Sequence, residues 1–379
     1  MATLREKTDI LIFSASYGGG HRRVSHAVET AIFSLDKGIK TRIIDLFEVI
    51  SPLINKFNLY SYVTTMRKAP YLYGWAYELS YDLPLNNFLN RMISKIGLEK
   101  LKGLLRDISP RGILSTYPSY GMLSELKRKG LANIISAVVI TDFVAHSQWI
   151  HPHVDQYFVP SAEVKYHLIK KGILPETVQI TGIPISMEFL QPVDRDEVFR
   201  KYDVIDDVPV ILVMAGIFGM TRGVTEICVA IEELAIDVQA VVLCGNDKKL
   251  FSKLTDTFSD KGIIKPIFGQ VDVHKLMVIA SLLISKSGGI TVSEALAKEL
   301  PVLIYKPLPG QEYHNAVFLS KTEAGIIIKN KKELKNILRF LLADKKYLNK
   351  MKEASRIIKK PEAAMDVANS LIEMVNFSL

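Results

Sequence analysis

The stretch LLISKSGGITVSEALAKELPVLIYKPLPGQEYHNA, residues 282–316, decides the predicted fold. Leu282 to Ser285 and Pro301 to Tyr305 are short apolar runs typical of buried strands, and Thr291 to Lys298 is typical of a helix. The turn between the first strand and the helix is Ser-Gly-Gly, residues 287–289. A helix N-terminus exposes backbone N–H groups and carries a partial positive charge. This turn therefore predicts a site for a phosphate-linked ligand. Lys286, which precedes the turn, would form a charge-assisted hydrogen bond with the phosphate.

The alternation of strands and helices extends over the rest of the chain. In each half, a strand leads to a glycine turn and then to a helix: Gly18 to Gly20 before Val24 to Leu35, and Gly216 to Gly219 before a helix from about Gly223. The other predicted strands are Arg42 to Ile44, Gly112 to Ser115, Ile135 to Thr141, Gln156 to Val159, Val178 to Thr181, Ala240 to Leu243 and Ile264 to Phe268; Asp9 to Ser14 and Val208 to Met214 begin the two halves. Such alternation predicts an α/β protein with parallel sheets and ligands at the carboxyl ends of the strands.

Length and composition agree with two folded domains. The chain has 379 residues, of which 48% are hydrophobic and 23% charged, as in globular proteins. It contains no apolar run near the roughly 20 residues that cross a bilayer. The first residues, MATLREKTDILIF, carry charges where a signal peptide needs an apolar core, so we expect a cytoplasmic protein. Cys228 and Cys244 lack metal-ligand spacing and are expected to be buried thiols.

Positive charge is concentrated in one aromatic segment. Residues 51–130 hold 12 basic and 5 acidic side chains, a net charge of +7 out of +8 for the chain. Aromatic and basic residues interleaved in this way suit the headgroup region of an anionic bilayer. The alternative is a helical subdomain whose aromatic residues form a core. No nucleic-acid-binding motif accompanies the charge, so nucleic acid is not an expected partner. The predicted membrane contacts are Lys56, Arg67, Lys68, Tyr71, Tyr73 and Trp75.

Five motifs in order resemble those of a known family. They are SASYGGGH at 14–21, TDFVAHSQWIHPHVDQYFVPS at 141–161, TGIPI at 181–185, MAGIFG at 214–219 and the stretch quoted first. The chain resembles the glycosyltransferases that build glycosyldiacylglycerols: bacterial processive diacylglycerol glucosyltransferases and plant monogalactosyldiacylglycerol synthases, which are related to the peptidoglycan N-acetylglucosaminyltransferase.

The resemblance implies a GT-B fold, in which two Rossmann-like domains face a cleft. Residues 1–188 would bind acceptor and membrane, residues 204–360 would bind the nucleotide sugar, and a helix within 361–379 would cross back to the N-terminal domain.

The activity implied by the resemblance is inverting transfer of a hexose, glucose or galactose, from a UDP-sugar to diacylglycerol. The enzyme would work peripherally on the cytoplasmic face of the membrane, with anionic lipids as partners. Alternatives are a UDP-N-acetylglucosamine-dependent transferase with a polyprenyl-linked acceptor, a UDP-sugar epimerase, and a non-catalytic lipid or nucleotide sensor. An epimerase would not need the basic aromatic segment. A sensor would be expected to lose the predicted base, His21, or the predicted sugar-binding residue, Glu312. KSGG at 286–289 and Tyr313 depart from the usual family pattern and leave the sugar open.

The predicted donor site neutralises the charge that develops on the leaving diphosphate. Helix dipoles and a lysine can do this without a metal, and no acidic DxD-type pair is present in a suitable setting. We therefore expect metal-independent transfer with no cofactor, the UDP-sugar being a co-substrate. The resemblance assigns Glu294 to the ribose, residues around Gly269 and Val271 to the uracil, and Gln311, Glu312 and Asn315 to the sugar hydroxyls. The remaining predicted nucleotide-sugar residues are Gly19, Gly20, Gly216, Phe218, Gly219, Lys286, Ser287, Gly288 and Gly289.

His21 is the predicted base that deprotonates the acceptor. It follows the glycine turn, where a helix N-terminus would lower its pKa and keep it neutral. Alternatively, His21 binds substrate phosphate or caps the helix. Asp142 follows a predicted strand and would be a second base or orient His21. The residues His146, Trp149, His151 and His153 suggest a zinc cluster, but this segment matches the family without metal, so no metal is expected.

Overall fold

The computed structural model describes residues 7–15, 19–50, 64–65, 69–81, 88–118, 121–130, 132–214, 223–258 and 262–376. The chain divides into two compact units. Met1–Met187 and Glu362–Leu379 form the first unit, and Glu188–Pro361 forms the second. Each unit has its own six-stranded parallel sheet. The predicted α/β class with parallel sheets is therefore confirmed.

The sheet of the first unit has the order β2-β1-β3-β4-β5-β6. Its strands are β1 Ile10–Ser14, β2 Thr41–Asp45, β3 Gly112–Ser115, β4 Ile135–Val139, β5 Gln156–Val159 and β6 Val178–Ile180. The central strands are nearly continuous apolar runs because both of their faces are buried under helices. Strand order reverses between β1 and β3, so the chain segments after these two strands leave the sheet in opposite directions and a crevice opens between them.

Helices of the first unit cover this sheet. They are α1 Gly20–Leu35, α2 Leu46–Ile50, α3 Pro70–Tyr81, α4 Phe88–Ile108, α5 Gly121–Arg128, α6 Ala162–Lys170 and, from the end of the chain, α15 Ala363–Asn376. Helix α15 packs mainly on α1. Arg111 donates a hydrogen bond to the carbonyl oxygen of Val375, and a Cβ at Gly112 would lie 2.7 Å from Val375 Cγ1. A side chain at position 112 would therefore force Val375 to shift where β3 begins beneath α15.

The second unit repeats the architecture with the order β12-β11-β10-β7-β8-β9. Its strands are β7 Val210–Met214, β8 Gln239–Leu243, β9 Ile264–Ile267, β10 Leu282–Ser285, β11 Val302–Tyr305 and β12 Gly325–Ile328. Its helices are α7 Arg195–Lys201, α8 Val224–Glu232, α9 Lys248–Phe258, α10 Val273–Ile279, α11 Gly289–Ala297, α12 Gln311–Lys321, α13 Lys331–Ala343 and α14 Lys345–Ile358. Here the order reverses between β7 and β10. Both cysteines are buried in the core of this unit, as expected.

Three of the differences from the sequence-based expectations concern whole elements or the surroundings of the site. Strand β12 was not predicted, because a four-residue apolar run at a sheet edge cannot be told from the start of a helix by periodicity. Strand β4 ends at Val139, which leaves Thr141 and Asp142 in the following loop. Helix α1 begins at Gly20, four residues earlier than predicted, after Gly19 at φ 72°. In the part of the chain that the structure describes, no helix combines the length and apolarity that a bilayer crossing requires.

Candidate active site

The first part of the site lies at the carboxyl end of β1 and β3. Gly19 adopts the left-handed conformation that glycine tolerates best and serves as the N-cap of α1. His21 is the second residue of that helix and lies beside the end of β3, where Thr116 follows the strand. The switch point of this sheet is therefore occupied by the histidine that the sequence identified as a candidate base.

Hydrogen bonding determines which nitrogen of His21 carries the proton. Its Nδ1 lies 2.6 Å from the carbonyl oxygen of Thr116. A carbonyl oxygen only accepts, so Nδ1 carries the hydrogen and the Nε2 lone pair remains for a proton. The hydroxyl of Thr141 is 3.4 Å from the same Nδ1. The ring packs edge-on to Tyr117 at 5.0 Å and lies 6.4 Å from the ring of Trp149, measured between centroids.

Burial lowers the pKa of His21 to about 4 from its ordinary 6.5, and the bond to Thr116 opposes this shift in part. The direction matches the sequence-based expectation, but the cause is different. The expected cause is the helix N-terminus, whereas loss of hydration around the partly buried ring is the main cause in the structure. At neutral pH the imidazole is uncharged and able to accept a proton.

Three hydroxyl residues around His21 were not identified from the sequence. Thr116 and Ser25 are fully buried, and their hydroxyl oxygens are 2.9 Å apart. Ser25 donates to the carbonyl of His21 at 3.0 Å, so this pair fixes the first turn of α1 against the end of β3. Thr116 directly follows one predicted strand and Thr141 is the last residue of another, and polar residues at neighbouring strand ends were the signal that could have revealed them.

Asp142 is buried in the loop after β4, next to Thr141. The nearby histidines have separate partners. His146 Nε2 lies 3.1 Å from the hydroxyl of Ser80, and His151 Nε2 lies 2.9 Å from the carbonyl of Gln148. Among the described residues, no three His, Cys, Asp or Glu side chains are grouped so that they could hold a metal ion.

The second part of the site lies at the carboxyl end of β10, beside β7. Lys286, Ser287 and Gly288 connect β10 to α11, whose N-cap is Gly288. The first N–H groups of α11 are thus presented at the switch point of the second sheet. Gly216, Phe218 and Gly219, which follow β7, lie outside the described residues.

Two hydrogen bonds join the start of α12 to this turn. Ser287 is buried and donates a hydrogen bond to the carbonyl of Glu312. Asn315, also fully buried, donates from Nδ2 to the carbonyl of Ser287 at 2.9 Å. In this structure Asn315 therefore holds the Ser287 turn. The family resemblance assigns Asn315 to a sugar hydroxyl and does not indicate this role.

Glu312 lies between a backbone donor and a lysine. Its Oε2 accepts from the N–H of Leu308 at 3.2 Å, and its Oε1 is 3.9 Å from Lys286 Nζ. Burial lowers the pKa of Lys286, while the charge of Glu312 raises it in part. The ammonium is thus held near the helix N-terminus by one carboxylate, at a distance that leaves it available to an anionic ligand.

The other predicted donor residues lie in turns and helices that follow strands of the same sheet. Glu294 is 1% exposed within α11, and Gln311 is the first residue of α12. Gly269, at φ 89°, and Val271 follow β9. A Cβ at Gly269 or Gly288 would meet no described atom within 4 Å, so both turns adjoin open space. Gly19 and Gly20 belong instead to the first unit.

Of the predicted membrane residues, Tyr71 and Trp75 are 80% and 63% exposed on α3. The alternative that these two aromatic residues form a core is therefore wrong. Lys56, Arg67, Lys68 and the side chain of Tyr73 lie outside the described residues.

Comparisons with known proteins agree with this geometry. The family profile of monogalactosyldiacylglycerol (MGDG) synthase matches residues 21–185, and that of glycosyl transferases group 1 matches residues 194–357. The chain is 33% identical over 369 residues to a processive diacylglycerol beta-glucosyltransferase of Bacillus thuringiensis, covering 96% of this chain and 93% of the relative. A relative of the same description from Bacillus licheniformis is 32% identical over 367 residues, covering 96% and 94%. The chain belongs to the family of these processive diacylglycerol beta-glucosyltransferases.

Solved structures resemble this member of the family in fold. The S. aureus MnaA–UDP co-structure has a TM-score of 0.66 at 17% identity, covering 98% of this chain and 97% of that chain. MurG of Acinetobacter baumannii has a TM-score of 0.63 at 13% identity, covering 97% and 99%. Identities this low establish the fold alone. The predicted GT-B fold is confirmed.

Proposed function

We propose that the protein is an inverting glycosyltransferase that moves a hexose from a UDP-sugar to diacylglycerol. The names of its relatives favour glucose over galactose. The observation that carries the proposal is the bond from His21 Nδ1 to the carbonyl of Thr116. It leaves Nε2 as a proton acceptor at the switch point of the first sheet, where an acceptor hydroxyl would need one.

In the proposed reaction, His21 Nε2 takes the proton of the diacylglycerol hydroxyl as its oxygen bonds to the anomeric carbon. The bond from that carbon to the diphosphate oxygen breaks on the opposite face of the sugar, and UDP leaves with the electron pair. Asp142 is the second candidate base or orients the site. The N–H groups at the start of α11 and the ammonium of Lys286 stabilise the diphosphate charge. Glu294, Glu312 and the turn at Gly269 bind the rest of the nucleotide sugar.

Metal independence is part of the proposal. The negative charge on the departing UDP is stabilised by the backbone N–H groups at the start of α11 and by Lys286. The second unit supplies both at the carboxyl end of β10. Activity should therefore persist in excess EDTA.

We propose that the enzyme acts at the surface of an anionic membrane, on the cytoplasmic side. Support comes from α3, where Tyr71, Leu72, Trp75 and Leu79 are exposed along one side of the helix. We call these four residues the apolar face of α3. Successive helical residues are about 100° apart, so the four fall within roughly 100° of arc. Residues 51–130, the segment that contains α3, carry a net charge of +7, which complements anionic headgroups.

The test is a product assay. Purified protein is offered radiolabelled UDP-glucose, UDP-galactose or UDP-N-acetylglucosamine with diacylglycerol in phosphatidylglycerol vesicles, with and without EDTA. The expected product is glucosyldiacylglycerol of inverted anomeric configuration, at equal rates in both buffers. Label transferred only from UDP-N-acetylglucosamine, or isomerised without an acceptor, would contradict the proposal.

A further inference from the structure

Helix α3 has a second face, opposite the apolar one, that is attached to the segment carrying Asp142 and Trp149. The Ser80 hydroxyl lies 3.1 Å from His146 Nε2. The rings of Tyr77 and Tyr81 lie 4.9 and 5.7 Å from the His146 ring, between centroids. His146 itself is only 6% exposed, so the last turn of α3 encloses it on one side.

The hydrogen bonds assign the tautomer of His146. Its Nδ1 accepts from the backbone N–H of Gln148 at 3.2 Å, so Nε2 carries the hydrogen and donates to Ser80. The Ser80 hydroxyl can then donate to the carbonyl of Ala76 at 2.8 Å. A second link joins the same two elements, because Ser147 donates to the carbonyl of Ser80 at 3.1 Å.

The segment beyond His146 leads directly to Trp149, whose ring lies beside His21. We call this ring the Trp149 wall of the His21 site. His146 caps the short 3₁₀ turn Ser147–Trp149, and the N–H of Trp149 donates to the His146 carbonyl at 3.0 Å. The Trp149 ring lies 6.4 Å from the ring of His21. A displacement of α3 would thus be transmitted through His146 to the turn that packs beside the candidate base.

We propose that His146 is a positioning residue that couples lipid contact at the apolar face of α3 to the arrangement of the Trp149 wall around His21. This inference rests on the proposed function, since it takes His21 as the base and α3 as the lipid-binding helix. The base would be fully assembled only at a membrane, where the acceptor lipid is present.

The chain provides its own reporter. It contains two tryptophans, one on the apolar face of α3 and one in the wall, so Trp75→Phe leaves Trp149 as the only indole. In this background, vesicles of phosphatidylglycerol and phosphatidylcholine should change Trp149 emission and reduce its quenching by acrylamide. Adding His146→Ala should abolish that response without reducing vesicle sedimentation.

Kinetics supply the second readout. For His146→Ala, kcat on diacylglycerol in vesicles should fall several-fold and by more than the rate on a dispersed short-chain diacylglycerol, whereas the affinity for UDP should stay unchanged. His146→Gln keeps a donor for Ser80 and should restore part of the vesicle-dependent rate. The matched control is His153→Ala, an exposed histidine in the same segment, which should behave like the wild type.

The outcomes separate the inference from the proposed function. Wild-type protein that does not sediment with vesicles would overturn the lipid-binding face itself and the coupling with it. Sedimentation without any Trp149 response, or an unchanged response in His146→Ala, would overturn the coupling alone. If His146→Ala melts early, Ser80→Ala removes the same hydrogen bond from the surface of α3 and must reproduce the loss.

Discussion

At the scale of single residues, His21 is the group on which the proposed chemistry depends. We expect His21→Ala to lower kcat by about 10² to 10⁴, the usual contribution of a positioned base, with UDP affinity unchanged because the donor turn belongs to the other unit. Single-turnover kinetics and UDP titration measure the two effects. His26→Ala on the same helix is exposed and serves as the control. Near-wild-type turnover in His21→Ala would remove this residue from the mechanism.

The depressed pKa of His21 predicts an unusual pH profile. A protonated imidazole cannot accept a proton, so kcat/KM should fall as the pH falls through about 4 and not through the ordinary 6.5. Between about pH 5 and 8 we expect little change in kcat/KM. The measurement is a pH profile with saturating UDP-sugar, accompanied by a folding control at each pH. An acid limb centred near 6.5 would show that the ring is hydrated in the working enzyme.

Single residues also show where sequence reasoning ended. The motif GGGH was enough to select His21. Its hydrogen-bond partner Thr116 is 95 positions away in the chain, and only strand order brings the two together. The same holds for Asn315 and Ser287, 28 positions apart. Local patterns identify a reactive residue, but the groups that set its tautomer and pKa depend on which strands are neighbours.

At the scale of elements, the buried strands were predictable because parallel strands covered on both faces are apolar throughout. Strands β3, β5 and β10 have the predicted limits. The errors occur where tertiary contacts decide. Strand β12 is short and pairs at the edge with β11, and α1 starts early because Gly19 and the buried pair of Ser25 and Thr116 fix its first turn.

The turn between β10 and α11 predicts a linked loss of stability and donor binding. Asn315→Ala removes the donor to the buried Ser287 carbonyl and should cost about 1 to 3 kcal/mol of unfolding free energy. It should also weaken UDP binding, because the first N–H groups of α11 lose their fixed position. Asn330→Ala is the matched control: it removes the N-cap of α13 at a cost of about 1 kcal/mol. Equal UDP affinity in both variants would contradict a role for Asn315 at the donor turn.

Helix α3 predicts an effect on lipid binding without an effect on the fold. Trp75 is largely exposed, so Trp75→Ala should reduce sedimentation with phosphatidylglycerol vesicles while leaving the melting temperature nearly unchanged. A buried tryptophan would instead cost about 3 to 5 kcal/mol. Phe33→Ala changes an exposed aromatic residue of α1 and should affect neither quantity. An early melting transition in Trp75→Ala would refute the exposed placement.

At the scale of the whole molecule, the chain contains two units with separate hydrophobic cores. The candidate base His21 belongs to one unit, and the turn proposed to bind the diphosphate belongs to the other. Both lie at the switch point of their own sheet, a position that sequence alternation predicts in general but that only the observed strand orders identify. Helix α15 belongs to the first unit, so that unit is complete only when residues 363–376 have been made.

This division predicts that UDP protects the two units unequally. A ligand that binds only the folded state stabilises it by about 2.7 kcal/mol at a concentration 100 times its Kd, and here the proposed UDP contacts belong to the second unit. Both tryptophans, Trp75 and Trp149, belong to the first unit, so their fluorescence reports its unfolding while calorimetry reports both units. We expect UDP to raise a calorimetric transition and to leave the tryptophan transition where it was. Lys286→Gln should diminish the calorimetric shift, and its matched control Lys298→Gln, a lysine at the other end of α11, should not. A tryptophan transition that moves with UDP by as much as the calorimetric one would mean that the first unit shares the nucleotide contacts.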